Sequence, residues 1–496
     1  MTESQQPRGG APVKAGADRT EALGTAPIGK LLWEFSVPSI IAMVANSLYN
    51  IIDTVFLQIA LPQIGAAVTQ LAYPVMCVLM AFSMLAGIGG NALAAIELGK
   101  GNRPNVERIL ANTAVLLFGL GLLAALAGTV FIDPLLTLLA TPEELWAPTH
   151  NFVQSICVFF AFQSLGMGMN NFLRTAGRPN LALGTSFIGT LACIALNATF
   201  VLGLGWGIAG SAYATVLGQL VSMVPVLWFF AASPRAPFRF KAANFRPDVR
   251  LMGNIMALGL ASFVMQVAGG IVTLVLNYVI EKYAATDPIG ITGAMAAISI
   301  VWKTLGLSYT VIIGITAGAQ PILGYNVGAK RWDRVLKCFK WACIDASLVA
   351  TACWVFFMAM PEVTLIPFNV GDDLLPFACR TMRIFAIWLP FVGYQMMGSS
   401  YFQSSGQAIK AAILELTRQF LFLIPLYLVF PPLAMAWFGV SGLMGVTLCV
   451  PISDVLAFVV TTVFVVMEVR HLRALTRGGA VEENGVERTV EGNSAA

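Results

Sequence analysis

Four polar side chains in the first apolar segment have the spacing and chemistry of a cation site. They fall at i, i+3, i+4 and i+7: Asn46, Tyr49, Asn50 and Asp53. A 3.6-residue period places all four on one face of a helix. A carboxylate in hydrocarbon costs about 2.5–3.5 kcal/mol on insertion scales, so this face must meet other protein or water. Pro38 lies fifteen residues before Asp53, where it removes a helical hydrogen bond and favours a bend. We expect Asp53 to bind a small cation on a bending helix; an acid held for packing alone is the alternative.

The composition is that of an integral membrane protein. Of 496 residues, 57% are hydrophobic and 11% are charged, with a mean hydropathy of +0.79, whereas about a quarter of a soluble domain is charged. The eight cysteines form no CxxC pair, and the two histidines fall near predicted helix ends, so we expect no metal site. Without a GxxxxGK[ST] loop, ATP-driven pumping is unsupported. No cofactor is expected beyond a coupling ion, H⁺ or Na⁺.

Twelve apolar stretches are long enough to cross a bilayer as helices. Their predicted spans are 31–57, 64–97, 106–131, 148–173, 180–203, 207–231, 249–280, 290–324, 333–359, 375–404, 410–430 and 438–468. Lysine and arginine concentrate in every second loop, which predicts cytoplasmic termini and an even number of spans in a cell (inner) membrane. The basic run near residues 232–250 is explained as a cytoplasmic linker, so no nucleic-acid partner is expected.

An internal repeat divides the chain into two halves. Gly99 corresponds to Gly328 and Gly177 to Gly406 at an offset of 229 residues, and Gly207 corresponds to Gly439 at 232. Two six-helix halves with the same orientation predict parallel repeats, with a substrate path between them. The predicted units are a disordered arm, an amino-terminal lobe, a linker, a carboxy-terminal lobe and a disordered tail: 1–30, 31–231, 232–248, 249–470 and 471–496.

Several motifs resemble those of multidrug and toxic compound extrusion (MATE) exporters, in the MepA-like and DinF-like branch. They are LWEFSVP at 32–38, LYNIIDT at 48–54, FLRTAGRP at 172–179 and GAQPILGYNVGAK at 318–330. The resemblance implies two six-helix lobes in a V and secondary active export of bulky, often cationic, amphipathic drugs or metabolites. It also implies antiport against H⁺ or Na⁺ by alternating access.

The resemblance also assigns roles to individual residues. Asp53 matches the amino-lobe coupling carboxylate, Tyr49 and Asn46 its polar neighbours, and Pro38 the proline at which the helix bends. Thr215 matches a hydroxyl of the sixth helix near the ion.

On the fifth helix the pattern departs from related branches. Those branches carry Asn and then Asp, where this chain has Cys193 and Asn197. One carboxylate is therefore missing, which favours H⁺ over Na⁺ because fewer hard oxygen ligands remain.

Further polar and adaptable residues are candidates for a cargo cavity. They are Gln163, Met167, Asn170, Asn171, Gln266 and Lys303. Lys303, Asp345 and Asp454 lie at similar predicted depth and either line the cavity or form structural ion pairs. Glu415 and Arg418, spaced i and i+3, are predicted to pair with each other.

Two other functions remain alternatives. A flippase for lipids or lipid-linked sugars of the wider superfamily is the nearer one, and a wide basic cavity would favour it. A membrane-embedded enzyme is the distant one, because clustered acids or histidines are absent from the spans. We expect a monomer in the lipid bilayer that is not an enzyme.

Overall fold

The computed structural model describes residues 17–60, 65–138, 141, 143–285, 287–368, 371 and 373–493. Within these ranges some side chains are not described, including those of Tyr49, Asn50 and Asp53 and every side chain after residue 476.

Helices account for nearly all of the described residues, and no strand occurs among them. The amino-terminal half contains α1 (Ala17–Thr25), α2 (Ile28–Ala60), α3 (Gly65–Gly99), α4 (Arg103–Val130), α5 (Ile132–Leu138), α6 (Glu143–Thr175), α7 (Pro179–Asn197) and α8 (Gly207–Ala232). The carboxy-terminal half contains α9 (Val249–Ala284), α10 (Gly290–Gly328), α11 (Trp332–Ala359), α12 (Pro361–Leu365), α13 (Leu375–Ala386), α14 (Leu389–Ser404), α15 (Ala408–Leu416), α16 (Ile424–Phe438) and α17 (Gly442–Asn493). Two π-helical segments, Ala198–Gly203 and Thr417–Leu423, extend α7 and join α15 to α16.

The described residues contain eleven helices long and apolar enough to cross a membrane, and twelve spans, as the sequence predicts, when one bent helix pair is counted as a span. Eleven of the described spans are single apolar stretches, and the twelfth is the pair α13–α14, bent by 46°. Pro390 lies in the first turn of α14, where a missing N–H is tolerated, so the helix restarts at the bend. The all-α membrane fold is confirmed.

The two halves meet through reciprocal contacts at one end of the bundle. A Cβ atom on Gly99 would collide with the carbonyl oxygen of Tyr325, and one on Gly328 with the carbonyl oxygen of Ile96. Gly328 follows Gly99 by 229 positions and Tyr325 follows Ile96 by the same number, so the two contacts are related by an approximate twofold axis. The predicted parallel repeat is thereby confirmed.

The same arrangement continues along the helices that carry these glycines. A Cβ on Gly318 of α10 would lie 2.7 Å from Ser36 Cα of α2. On the other side of the axis, the rings of Phe82 on α3 and Phe263 on α9 meet with centroids 5.3 Å apart. We call the α2–α10 and α3–α9 contacts the seam, and the end of the bundle with the α3–α4 and α10–α11 turns the basic end.

Residues 17–30 form α1 and the beginning of α2, although the sequence predicts a disordered arm there. Leu23 is fully buried in one apolar cluster with Leu31, Phe35 and their neighbours at the beginning of α2, and the cluster's described members beyond α2 lie between residues 261 and 472. The nine-residue α1 is too short to be stable alone, so its order comes from tertiary packing that apolar periodicity does not reveal. The beginning of α2 thus packs on the carboxy-terminal lobe, not on the lobe to which the sequence assigned it.

Candidate cation and cargo site

The four residues of the predicted cation site, Asn46, Tyr49, Asn50 and Asp53, lie on α2, beyond the seam. We call them the cation stripe. The backbone is helical through Tyr49, Asn50 and Asp53, but their side chains lie outside the described residues. Asn46 is exposed. Pro38 is buried inside the helix, three turns before Tyr49. α2 packs against α7 and α8, which carry the other two predicted members of the site.

Asn197 is the most unusual polar side chain in this region. It is completely buried, and neither Nδ2 nor Oδ1 has a hydrogen-bond partner among the described residues. Buried amides are normally satisfied, and one that is not costs about 1–3 kcal/mol. It is the last residue of α7, and the π-helical segment that follows widens the helix, a feature frequent at functional sites.

Thr215 lies on α8, next to the same part of α7. The Cys193 thiol donates a hydrogen bond to the Thr215 carbonyl oxygen at 3.6 Å. This contact holds α8 close to the turn of α7 that precedes Asn197 by four residues. The structure therefore brings Asn197 and Thr215 to neighbouring helices that both pack on α2.

The candidates on the fourth span have different environments. Asn170 donates to Thr185 Oγ1 at 2.8 Å and to the Ala182 carbonyl at 3.3 Å, so its amide nitrogen serves α6–α7 packing. Asn171 accepts from an Arg174 guanidinium nitrogen at 2.7 Å.

Three further cargo candidates lie on α6 and α9. Gln163 is buried, and its Oε1 has no partner among the described residues. Met167 and Gln266 are partly buried.

Lys303 is exposed and lies on the seam face of α10. It precedes Gly314 by eleven residues, which is about three helical turns and places both on one face. Gly314 packs on Ile40 of α2. The lysine is therefore on the side of α10 that faces the amino-terminal lobe, farther from the basic end than the seam contacts.

Asp454 and Asp345, the other two charged residues predicted at the depth of Lys303, have different environments. Asp454 is 1% exposed and accepts from Arg418 Nε at 2.8 Å, so it forms a structural ion pair. Arg418 also donates to the Tyr309 hydroxyl at 3.3 Å. The predicted Glu415–Arg418 pair is thus replaced by a partner 36 residues away. Asp345 is exposed on α11.

Sequence reasoning missed a contact between α2 and α6. Arg174, 4% exposed, donates from Nε to Ser39 Oγ at 3.0 Å, immediately after Pro38. A buried arginine in the FLRTAGRP motif was the available signal, but its partner lies 135 residues away.

A cavity of about 620 Å³ lies apart from all of these residues. It is between α13 and the neighbouring helices of the carboxy-terminal lobe, and its polar lining includes Glu362, Arg380 and Arg383. It contains none of the predicted cargo residues.

Twelve spans in two repeats, with unsatisfied polar groups buried between helices, are the architecture of a multi-pass membrane transporter. The MatE family profile matches residues 38–199 and 261–429. The chain belongs to the MatE family.

Curated relatives and solved structures agree with this assignment. The chain is 21% identical over 422 residues to the multidrug export protein MepA of Staphylococcus aureus (strain MSSA476), covering 84% of this chain and 89% of that protein. It is 22% identical over 459 residues to MepA of Staphylococcus haemolyticus (strain JCSC1435), covering 92% and 97%. A multidrug resistance MATE family transporter in an outward-facing conformation superposes with a TM-score of 0.83 at 21% identity, covering 91% of this chain and 98% of that one.

Proposed function

We propose that this protein is a secondary active exporter that moves bulky amphipathic compounds out of the cell in exchange for H⁺, or alternatively Na⁺. The buried, unpartnered amide of Asn197 carries the proposal. An amide beside α2 that finds no described partner is a polar group ready to join a carboxylate and its cation, and Asp53 is the acid of that helix.

A single carboxylate favours the proton as the coupling ion. Na⁺ is bound by several hard oxygen ligands, whereas Asp53, an amide and a threonine hydroxyl offer few. Protonation would remove the only charge of the stripe and change its fit between α7 and α8. The bend at Pro38 would carry this change along α2 toward the seam.

The cargo path lies between the lobes, on the side of the seam away from the basic end. Lys303 supports this position. It is exposed on the same face of α10 that packs on α2, but it lies farther from the basic end than the packed residues do. A lysine there disfavours cations, so neutral and anionic amphipathic compounds are better cargo than strongly cationic ones. The multidrug export activity named for the MepA relatives supports a small-molecule cargo.

The positive-inside rule places the basic end in the cytoplasm. Both termini would then be cytoplasmic in a bacterial inner membrane. The seam closes the cytoplasmic side, so the described conformation would open outward.

Transport in proteoliposomes tests the proposal. A fluorescent amphipathic compound is followed under an imposed pH gradient and, separately, a sodium gradient. We expect export driven by the pH gradient, and its loss in Asp53→Asn, which mimics the protonated acid. Full gradient-driven export by Asp53→Asn would overturn the assignment.

Two buried asparagines provide a matched pair of variants. Asn197→Leu should abolish gradient-driven export while leaving thermal stability equal or higher, because it removes an unsatisfied amide. Asn170→Leu should lower stability, because its amide is satisfied by Thr185 and Ala182. Equal losses of stability in the two variants would show that Asn197 has only a structural role.

A further inference from the structure

The α3–α4 turn of the amino-terminal lobe satisfies its own polar groups. Glu97 is buried, at 7% exposure. Its carboxylate accepts from Lys100 at 2.6 Å, from Asn105 at 2.9 Å and from Asn102 at 3.2 Å. All partners belong to the turn or to the first residues of α4. The turn is therefore complete without any other segment.

The equivalent turn of the carboxy-terminal lobe has the opposite charge. The repeat offset of 229 converts Glu97 into Asn326, and the two asparagines that bind Glu97 into Arg331 and Arg334. Arg334 Nε donates to Asn326 Oδ1 at 3.0 Å. A neutral amide oxygen replaces a carboxylate, and the described residues contain no ion pair to either arginine. Two guanidinium groups at this turn therefore need other acceptors.

The end of α1 and the residue that follows it supply these acceptors. Arg334 donates to the carbonyl oxygens of Ala26 at 2.7 Å and Leu23 at 3.2 Å, and Arg331 donates to that of Gly24 at 2.5 Å. The Asn326 amide also donates to Leu23 O, at 3.0 Å. The last carbonyls of a helix have no intrahelical partner and carry the negative end of its dipole, so cationic donors suit them. We call Asn326, Arg331 and Arg334 the anchor.

The anchor determines which lobe holds the beginning of α2. Only two residues, Ala26 and Pro27, separate α1 from α2. Residues 28–37, the first arm of α2, pack in the carboxy-terminal core together with Leu23. Directly after Pro38, Ser39 accepts its hydrogen bond from Arg174 of the amino-terminal lobe. The amino-terminal lobe thus contacts α2 directly after the proline, whereas the carboxy-terminal lobe holds the residues before it and also contacts Ile40 through Gly314.

We propose that α1 and the anchor fix the first arm of α2 to the carboxy-terminal lobe, so that a change at the cation stripe bends α2 at Pro38 and moves one lobe against the other. The stripe is on the second arm, residues 39–60, of the helix α2, which packs on α7 and α8. The inference rests on the proposed function for the role of Asp53. Asn326, Arg331 and Arg334 are positioning residues in this arrangement, since they act through α1 and α2.

Hydrogen exchange on the full chain in nanodiscs tests the anchor itself. In the double variant Arg331→Ala/Arg334→Ala, amides of residues 17–37 should exchange about tenfold faster than in the wild type, because several hydrogen bonds to charged donors are lost. The matched control is Arg470→Ala/Arg473→Ala, which removes two exposed arginines of the same lobe. That control should leave the exchange of residues 17–37 unchanged. Unchanged exchange in the anchor variant would overturn the inference.

Transport tests the action of the anchor through α1. Deletion of residues 1–26 and the double variant should each lower the amount of cargo exported per ion about threefold or more. The variant that combines the deletion with both arginine substitutions should export no less cargo per ion than either change alone, because both changes remove the same contact between α1 and the anchor. Additive losses would show that the arginines only stabilise their own turn, and would contradict the inference.

Failure of the proposed function is distinguishable from failure of the anchor. If Asp53 were not the coupling acid, Asp53→Asn would export normally, while the exchange difference in residues 17–37 would persist. If the anchor did not exist, Asp53→Asn would still abolish export and the exchange difference would be absent.

Discussion

The two lobes share one fold but have different side chains at equivalent helix contacts: small residues in one lobe and a buried ion pair in the other. In the amino-terminal lobe, a Cβ on Gly189 of α7 would lie 2.7 Å from Ser222 Cβ of α8, so these helices touch through small residues. Offsets of 229 and 232 convert that pair into Arg418 and Asp454, which form a buried ion pair at 2.8 Å. The repeat thus preserves which helices meet and leaves the content of each contact free to change.

A second equivalent pair keeps the contact and changes only the charge. Arg174 Nε donates to Ser39 Oγ at 3.0 Å, and Gln403 Nε2, 229 residues later, donates to Ser262 Oγ at 2.9 Å. Each joins the fourth span of its lobe to the first. Small residues and apolar faces therefore determine which helices pack together, and the charge at a given contact can differ between the lobes.

The largest expected effect is at the buried ion pair. Asp454→Asn should lower the free energy of unfolding by about 3–5 kcal/mol, because Arg418 would remain buried without a carboxylate. Thermal unfolding in detergent measures it. Ser222→Ala, at the equivalent position, should change stability by less than about 0.5 kcal/mol.

A double replacement separates the cost of an unpaired buried charge from the contribution of the ion pair itself. Arg418→Met/Asp454→Leu should recover most of the lost stability, as apolar replacements of buried pairs do. If Asp454→Asn unfolds like the wild type, the pair contributes nothing and the contrast between the lobes fails.

An intermediate effect is expected at the self-contained turn. Glu97→Ala should cost about 1.5–3 kcal/mol, since hydrogen bonds to a buried carboxylate are lost. The control is Lys241→Ala, which removes the Lys241–Glu107 pair; that lysine is 62% exposed, so the loss should stay below about 1 kcal/mol. Equal losses would mean that the α3–α4 turn is held no more firmly than an exposed pair.

The smallest effect is expected where the contact is preserved. Arg174→Gln gives the amino-terminal lobe the residue of its counterpart, and the Ser39 hydrogen bond can be kept. Stability should remain within about 1 kcal/mol of the wild type, because only the neutral partner Asn171 is lost. A loss of 3 kcal/mol or more in a denaturant titration would show that the positive charge itself is structural.

Most of the architecture could be predicted from the sequence because its causes are local. Apolar length determines the twelve spans, and the glycine motifs at an offset of 229 reveal the repeat. The side-chain partners could not be predicted, because they lie far apart in the chain. Spacing favoured Glu415 for Arg418, yet the ion pair is with Asp454 of α17, and Arg418 itself lies in the π-helical segment Thr417–Leu423.

Two other differences have the same origin. Asn170 stays a predicted cavity residue, but the sequence did not reveal that its amide nitrogen bonds Thr185 on the next helix. The order of α1 depends on Arg331 and Arg334, more than 300 residues away, and a short polar segment carries no apolar period that would reveal it.

In the proposed mechanism, the protonation of one acid in the amino-terminal lobe determines which side of the protein is open. The direct measurement is the distance between spin labels at Arg103, the first residue of α4, and Lys337 in α11, both exposed near the basic end, by double electron–electron resonance as a function of pH in nanodiscs. We predict that the wild type changes between a short and a long distance as pH changes, and that Asp53→Asn keeps one distance at every pH. A pH-dependent change in Asp53→Asn equal to that of the wild type would contradict the account.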